Sequence, residues 1–167
     1  MYVILVMLLA SLISGAATAM PQIRHGQVVI TDDPGGEIYA FADRWDQIRA
    51  KGVPVKIDGR CSSSCTMGLS NPNVCVTPRA QFDFHLAYTT AMDKTKDGRW
   101  IEGRSYWDRK ASEQILLPRY PAWVKAWLTA HGGLSSRMKT MPYSYAKRFI
   151  RTCRQGGAHH TIPSGTY

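Results

Sequence analysis

The chain has no C-x-x-C pair and no histidine pair placed to complete a site, so its four cysteines do not read as zinc ligands. It has no Lys/Arg block and no alternation of basic and aromatic residues, which removes the usual footprint of a nucleic-acid-binding surface. No internal repeat and no long linker divides it, so a single domain is expected. Its longest apolar run, Tyr2 to Ile13, is short for a ~20-residue membrane span, and no basic residue follows at once. Acids are scarce. Twelve Asp and Glu stand against 21 Lys and Arg, and from Ala111 to Tyr167 the only carboxylate is Glu113.

What is present begins with a leader. The apolar run is followed by small residues ending in Ala17-Thr18-Ala19, the pattern of a secretory signal peptide cut before Met20. The basic start of such a leader is missing apart from the amino terminus itself. Residues 1–19 are therefore expected to be removed, leaving residues 20–167 as one periplasmic or secreted domain. That length suffices for a real core without help from a metal or disulfides. No metal or cofactor is expected, and an acyl-CoA ligand would conflict with export.

The formal charge of +9 lies wholly outside the leader, which carries none. It favours anionic surroundings: phospholipid headgroups, polyanionic envelope polymers or acidic proteins. Peripheral contact with an anionic membrane surface is thus one expectation.

The periodicity alternates. Residues 27–30 read as a strand, and Ile38, Phe41, Ala42, Trp45 and Ile48 recur at helical steps within a helix from Glu37 to Lys51. Gly52 is placed to cap it. Residues 53–57 predict a strand, 62–69 a helix, 74–76 a strand and 81–85 another. This is an α/β pattern with mostly parallel pairing. Beyond Tyr88, residues 92–105 predict an exposed loop, 106–117 and 120–130 two helices, and 138–150 a last helix or short extended piece.

Export implies oxidised cysteines. Cys61, Cys65, Cys75 and Cys153 allow three pairings, and sequence does not choose among them. A Cys75–Cys153 bridge would close a long loop, worth ~4 kcal/mol on the chain-entropy relation. That would leave Cys61 and Cys65 beside Ser63. Oxidising surroundings argue against a free reactive thiol.

Three segments carry chemistry, in order: the turn Pro34-Gly35-Gly36, the stretch Gly59-Arg-Cys-Ser-Ser-Ser-Cys65, and Phe-Asp-Phe-His85. Ser63 follows a strand exit and opens a helix, which exposes a hydroxyl and surrounds it with free N–H groups. His85 would take its proton. Ser64 and either Gly35 or Gly36 would offer backbone N–H groups to a developing oxyanion. Each piece also has an ordinary reading: an N-cap, a turn, a core histidine.

From Val28 to Tyr88, about 60 of the ~148 residues after the leader, the chain resembles the Clp-protease proteolytic subunit and its crotonase-like relatives. The matching parts are Pro34-Gly35-Gly36, Gly59-Arg-Cys-Ser-Ser63 and Phe84-His85. The cysteines flanking the serine resemble those of small secreted ClpP-like proteins of proteobacteria. The resemblance implies a ClpP/crotonase-like core of repeated β-α units with a helical C-terminal part. It implies Ser63 as nucleophile, His85 as general base, and Gly35 or Gly36 with Ser64 as the oxyanion hole. It also implies a ring or trimer packed through C-terminal helices, for which Trp123 and Trp127 offer an aromatic stripe, although such a stripe is more often core.

The chain departs from that pattern at the third catalytic member. The aspartate that orients the histidine would fall near Thr140-Met141, where there is no acid. A backbone carbonyl, or Asp83 on the same strand, would have to stand in. Lys56, Lys94 or Lys96 would be needed for a Ser/Lys dyad. Two functions follow: a serine peptidase acting on peptide or unfolded protein in the cell envelope, or a non-catalytic envelope protein that keeps the fold for binding or assembly.

Overall fold

In β2 (Gln27–Asp33) the side chains of Val28 and Ile30 face inward and those of Val29 and Thr31 outward, the two-residue alternation of a half-buried strand. It belongs to a six-stranded mixed sheet in a computed structural model that describes residues 21–154. The expected leader and the His159-His160 tail lie outside the described residues.

The sheet path runs β1 (Ile23–Arg24), β2, β3 (Val55–Ser62), β5 (Gln81–Phe84), β8 (Lys139–Pro142). The short β4 (Val74–Val76) also pairs with β3. Strands β2, β3, β4 and β5 pair in parallel, while β1 and β8 add antiparallel edges. β3 divides its partners: residues 55–57 pair with β4 and residues 60–62 with β5.

α1 (Ile38–Ala50) crosses from β2 to β3 and buries Phe41, Trp45 and Ile48. Glu37 caps it, accepting from the Tyr39 and Ala40 N–H groups. Gly52, at φ 62°, ends it as its sequence position suggests. A Cβ on Gly68 would lie 2.6 Å from the Trp45 ring, so the segment after β3 needs a glycine to accept this helix. A second glycine has a similar role. β3 continues through Gly59 beside a register shift in β2, and a Cβ there would overlap the Thr31 carbonyl.

One expectation is refined and two are corrected. The helix expected at 62–69 forms over Ser63–Ser70 as a 3-10 helix: three serines, a threonine and a glycine have low α-helix propensity, and a disulfide ties its first turn to β3. Residues 92–105 are not a loop, and residue 106 does not begin a helix. Instead β6 (Ala87–Lys94) and β7 (Trp100–Asp108) form an antiparallel hairpin that pairs with no other strand among the described residues. Its β-branched and aromatic residues, Thr89, Thr90, Ile101, Tyr106 and Trp107, suit strands, and Lys96-Asp97-Gly98 makes the turn. Helix begins only at Arg109, running through α2 (Arg109–Ala111), a π-turn (Ser112–Leu116) and α3 (Leu117–Arg119).

α4 (Ala122–Ala130) follows and ends at the His131-Gly-Gly stop. Residues 138–150 divide into β8 and the single turn α5 (Tyr143–Ala146), so the helical C-terminal part is shorter than expected. No described helix is long and apolar enough to cross a membrane.

Candidate active site

Two chain turns meet above the C-terminal ends of β2 and β3. Pro34-Gly35-Gly36 leaves β2 and Ser62-Ser63-Ser64 leaves β3. Ser63 has φ 54°, a left-handed conformation that a serine adopts only at a cost of order 1 kcal/mol. This is the strained strand-to-helix turn that its sequence position implied, and it leaves the residue half-buried.

Gly35, at φ 83°, packs directly on that turn. A Cβ on it would sit 2.7 Å from the Ser62 carbonyl oxygen, 2.8 Å from Ser63 Cβ and 3.0 Å from the Ser64 nitrogen. Glycine is therefore required twice over, for its backbone conformation and for its lack of a side chain. The buried Ser64 hydroxyl joins the two turns. It accepts from the Gly36 N–H (2.8 Å) and donates to the Gly36 carbonyl (3.1 Å).

His85 follows β5 and is half-buried. Its Nδ1 lies 2.5 Å from the Leu86 carbonyl oxygen, which can only accept, so Nδ1 carries the proton and Nε2 is left as the acceptor. The ring stands edge-on to Trp107 of the hairpin at 5.6 Å. His85, Ser63, Ser64, Gly35 and Gly36 line one cavity of about 510 Å³, with Tyr88, Thr89 and Thr90 of β6 along another wall. All five residues proposed from sequence thus face a common space. No lysine lines it: Lys56 pairs with Asp58, and Lys94 lies over the Trp100 ring.

The acids are disposed otherwise. Asp83 is buried, but it serves the sheet: it accepts from Ser62 Oγ (2.9 Å) and Thr140 Oγ1 (2.6 Å) and pairs with Arg60 Nε (3.3 Å). Thr140, where the resemblance would put an aspartate, is thereby committed to Asp83, and its neighbour Met141 is buried in the core. The Leu86 carbonyl, not a carboxylate, is what meets His85 Nδ1.

Sequence reasoning missed three supporting residues. Asp33 lies under the glycine turn, where its Oδ1 accepts from the Gly35 N–H at 2.8 Å. Burial pushes its carboxyl above the ordinary carboxylate range against the lowering effect of that bond, and Asp32 adds to the rise. Thr66 donates to the Ser63 carbonyl (2.5 Å) and meets the hydroxyl of Tyr120 (2.8 Å). Tyr120 is buried and its phenol is pushed above its usual range by that burial. No local pattern announced Thr66 or Tyr120, because they are 54 positions apart. An Asp-Pro-Gly-Gly run does signal an Asx-type turn, which is what Asp33 makes.

The Asp33 geometry makes a prediction. A carboxyl whose folded pKa is raised contributes its full stability below the unfolded value and loses it as pH rises through the folded value. Asp33→Asn keeps an acceptor for Gly35 and removes the buried charge. Its thermal midpoint at pH 7 is expected to equal or exceed that of the wild type, and the difference should vanish under acid conditions. A lower midpoint at pH 7 would show that the charge itself holds the turn.

Two disulfides are formed, Cys61–Cys65 and Cys75–Cys153. The first joins the end of β3 to the 3-10 helix across Ser63, with both cysteines fully buried. The second ties β4 to the end of the described chain. No described group of His, Cys, Asp or Glu could hold a metal ion. No protein-family model and no curated protein matches the chain.

Proposed function

We propose that this protein is an exported ClpP-like serine hydrolase that cleaves peptides in the periplasm or outside the cell, with residues 1–19 as its leader. The observation that carries this reading is Ser63, held in a left-handed turn at the mouth of a cavity it shares with His85 and the Gly35-Gly36 turn. Strain of this kind persists only where surrounding structure enforces it, and Cys61–Cys65, Gly35 and Thr66 all act on that turn.

In this mechanism His85 Nε2 accepts the Ser63 proton as Oγ attacks the substrate carbonyl carbon. The protonated imidazole then gives that proton to the departing amine, and water repeats the sequence to release the acyl group. The Leu86 carbonyl keeps His85 in the required tautomer, the orienting task of the aspartate in a Ser-His-Asp triad. It supplies no negative charge to the imidazolium. The Ser64 N–H, in the first turn of the 3-10 helix, has no intrahelical acceptor and is the best-placed oxyanion donor.

The substrate class follows from β6. It starts two residues after His85, lines the cavity with Tyr88, Thr89 and Thr90, and leaves one edge without a strand partner among the described residues. Such an edge takes an extended peptide by main-chain hydrogen bonding.

One observation favours the second reading, a binding or assembly protein that has kept the fold. The Gly35 and Gly36 N–H groups are both occupied, by Asp33 and by Ser64 Oγ. Catalysis with a two-donor oxyanion hole requires one of them to turn. The test is labelling of the oxidised, exported protein by a fluorophosphonate, beside Ser63→Ala. Labelling that disappears in Ser63→Ala is the expected result. A folded wild type that takes no label would make binding the function.

A further inference from the structure

The charge of this protein is unevenly placed. Eight of its 21 basic residues, but only one of its 12 acids, lie beyond Lys110. Arg119 is neutralised by Asp46 at 2.8 Å. Among the described residues, no salt bridge involves Arg137, Lys139, Lys147, Arg148 or Arg151. Unpaired cations so concentrated repel one another and weaken the fold, so their placement calls for a partner.

The fold gathers several of them around aromatic rings. Lys139, His131 and Arg148 line a cleft of about 600 Å³ with Trp127 and Tyr145. The Arg148 guanidinium lies 5.2 Å from the Tyr145 ring and 5.5 Å from that of Phe149. Lys147 lies 5.6 Å from the Tyr143 ring. Phe149 stacks on Trp123 at 5.1 Å yet stays 46 % exposed. Trp127 itself is core, packed against Phe84, so the aromatic stripe of α4 is only partly free.

We propose that this face, centred on Lys147, Arg148 and Phe149, docks the protein on a bilayer surface rich in anionic phospholipid. The charge is complementary to phosphate headgroups, and each Lys or Arg near such a surface tightens binding about fivefold at moderate salt. The exposed Phe149, with Trp123 and Tyr145 beside it, is of the side-chain types that settle at headgroup depth. An acidic protein or a soluble polyanion would use the charge but leave the exposed Phe149 without a role. The inference does not depend on Ser63 being reactive.

The experiment is co-sedimentation of the exported protein with vesicles of 3:1 phosphatidylethanolamine and phosphatidylglycerol, beside vesicles of phosphatidylcholine alone. Lys147→Glu/Arg148→Glu is compared with Lys94→Glu/Lys96→Glu on the hairpin, which makes the same change of net charge elsewhere. Matched thermal midpoints establish that both variants are folded. The expected result is binding to the anionic vesicles alone, lost at high salt and weakened at least about tenfold by the first variant only. Equal loss in both variants would overturn the assignment of this face, as would equal binding to both vesicles. Capture of soluble polyphosphate without vesicle binding would transfer the face to a polymer ligand and overturn the lipid reading.

Discussion

Replacing His85 by alanine is expected to slow the reaction of Ser63 with a fluorophosphonate by about 10²- to 10⁴-fold, the usual contribution of a general base. A serine hydroxyl reacts slowly until its proton has somewhere to go, and among the residues lining the cavity with Ser63, only His85 is a histidine. Its usefulness depends on tautomer. In a Ser-His-Asp triad, turning the aspartate into asparagine costs ~10⁴ because the imidazole carries its proton on the wrong nitrogen. Here the Leu86 carbonyl makes that choice, since a carbonyl accepts and never donates. Asp83→Asn is the informative companion. Asp83 touches Ser62, Thr140 and Arg60 rather than the imidazole, so its loss should lower stability more than the labelling rate. Equal labelling rates in wild type and His85→Ala would remove the base from the mechanism. A collapse of labelling in a folded Asp83→Asn would make the acid, acting through the Ser62 turn, the missing third member.

The second large effect falls on stability. Cys75→Ala/Cys153→Ala is expected to lose about 4 kcal/mol, against about 2 kcal/mol for the chain-entropy share of the Cys61–Cys65 loop. The difference is loop length: the first bridge joins residues 78 apart, the second residues 4 apart. The long bridge also secures a tail with few other attachments. Residues beyond α5 meet the sheet through the Val76–Thr152 bridge, with the Cys153 N–H donating to the Val76 carbonyl and the Val76 N–H to that of Arg151. Urea unfolding of the oxidised proteins measures the loss directly. An unchanged midpoint in the double variant would mean that the core holds β4 and the tail unaided. The short bridge has its influence elsewhere: it holds Ser63 in place more than it holds the domain together.

Much of the site was legible because its parts are local. Pro34-Gly35-Gly36 announces a turn, and a helical repeat announces α1. Gly59 through Cys65 announces a strand exit followed by small residues. The hairpin was not legible. Residues 92–105 are polar and carry a glycine, so they resemble a loop, and a two-stranded sheet with both faces partly solvated has no strict alternation to reveal it. Residues 62–69 read as a helix without a type, because local composition separates 3-10 from α weakly.

The sequence by itself determined the order of the pieces, the α/β character of residues 27–85, the concentration of cations beyond Lys110 and the choice of Ser63 and His85 as candidates. These are properties of composition and short spacing, which survive without knowledge of contacts. Only the tertiary structure decided the rest: that Asp83 binds Thr140 instead of His85, that Asp33 and Ser64 hold the glycine amides, and that Tyr120 supports Thr66. It also selected Cys61–Cys65 and Cys75–Cys153 from three pairings. Each of these joins atoms brought within bonding distance by strand register and by the docking of one turn on another. Register depends on the whole pattern of buried faces, so no single segment of the chain specifies it.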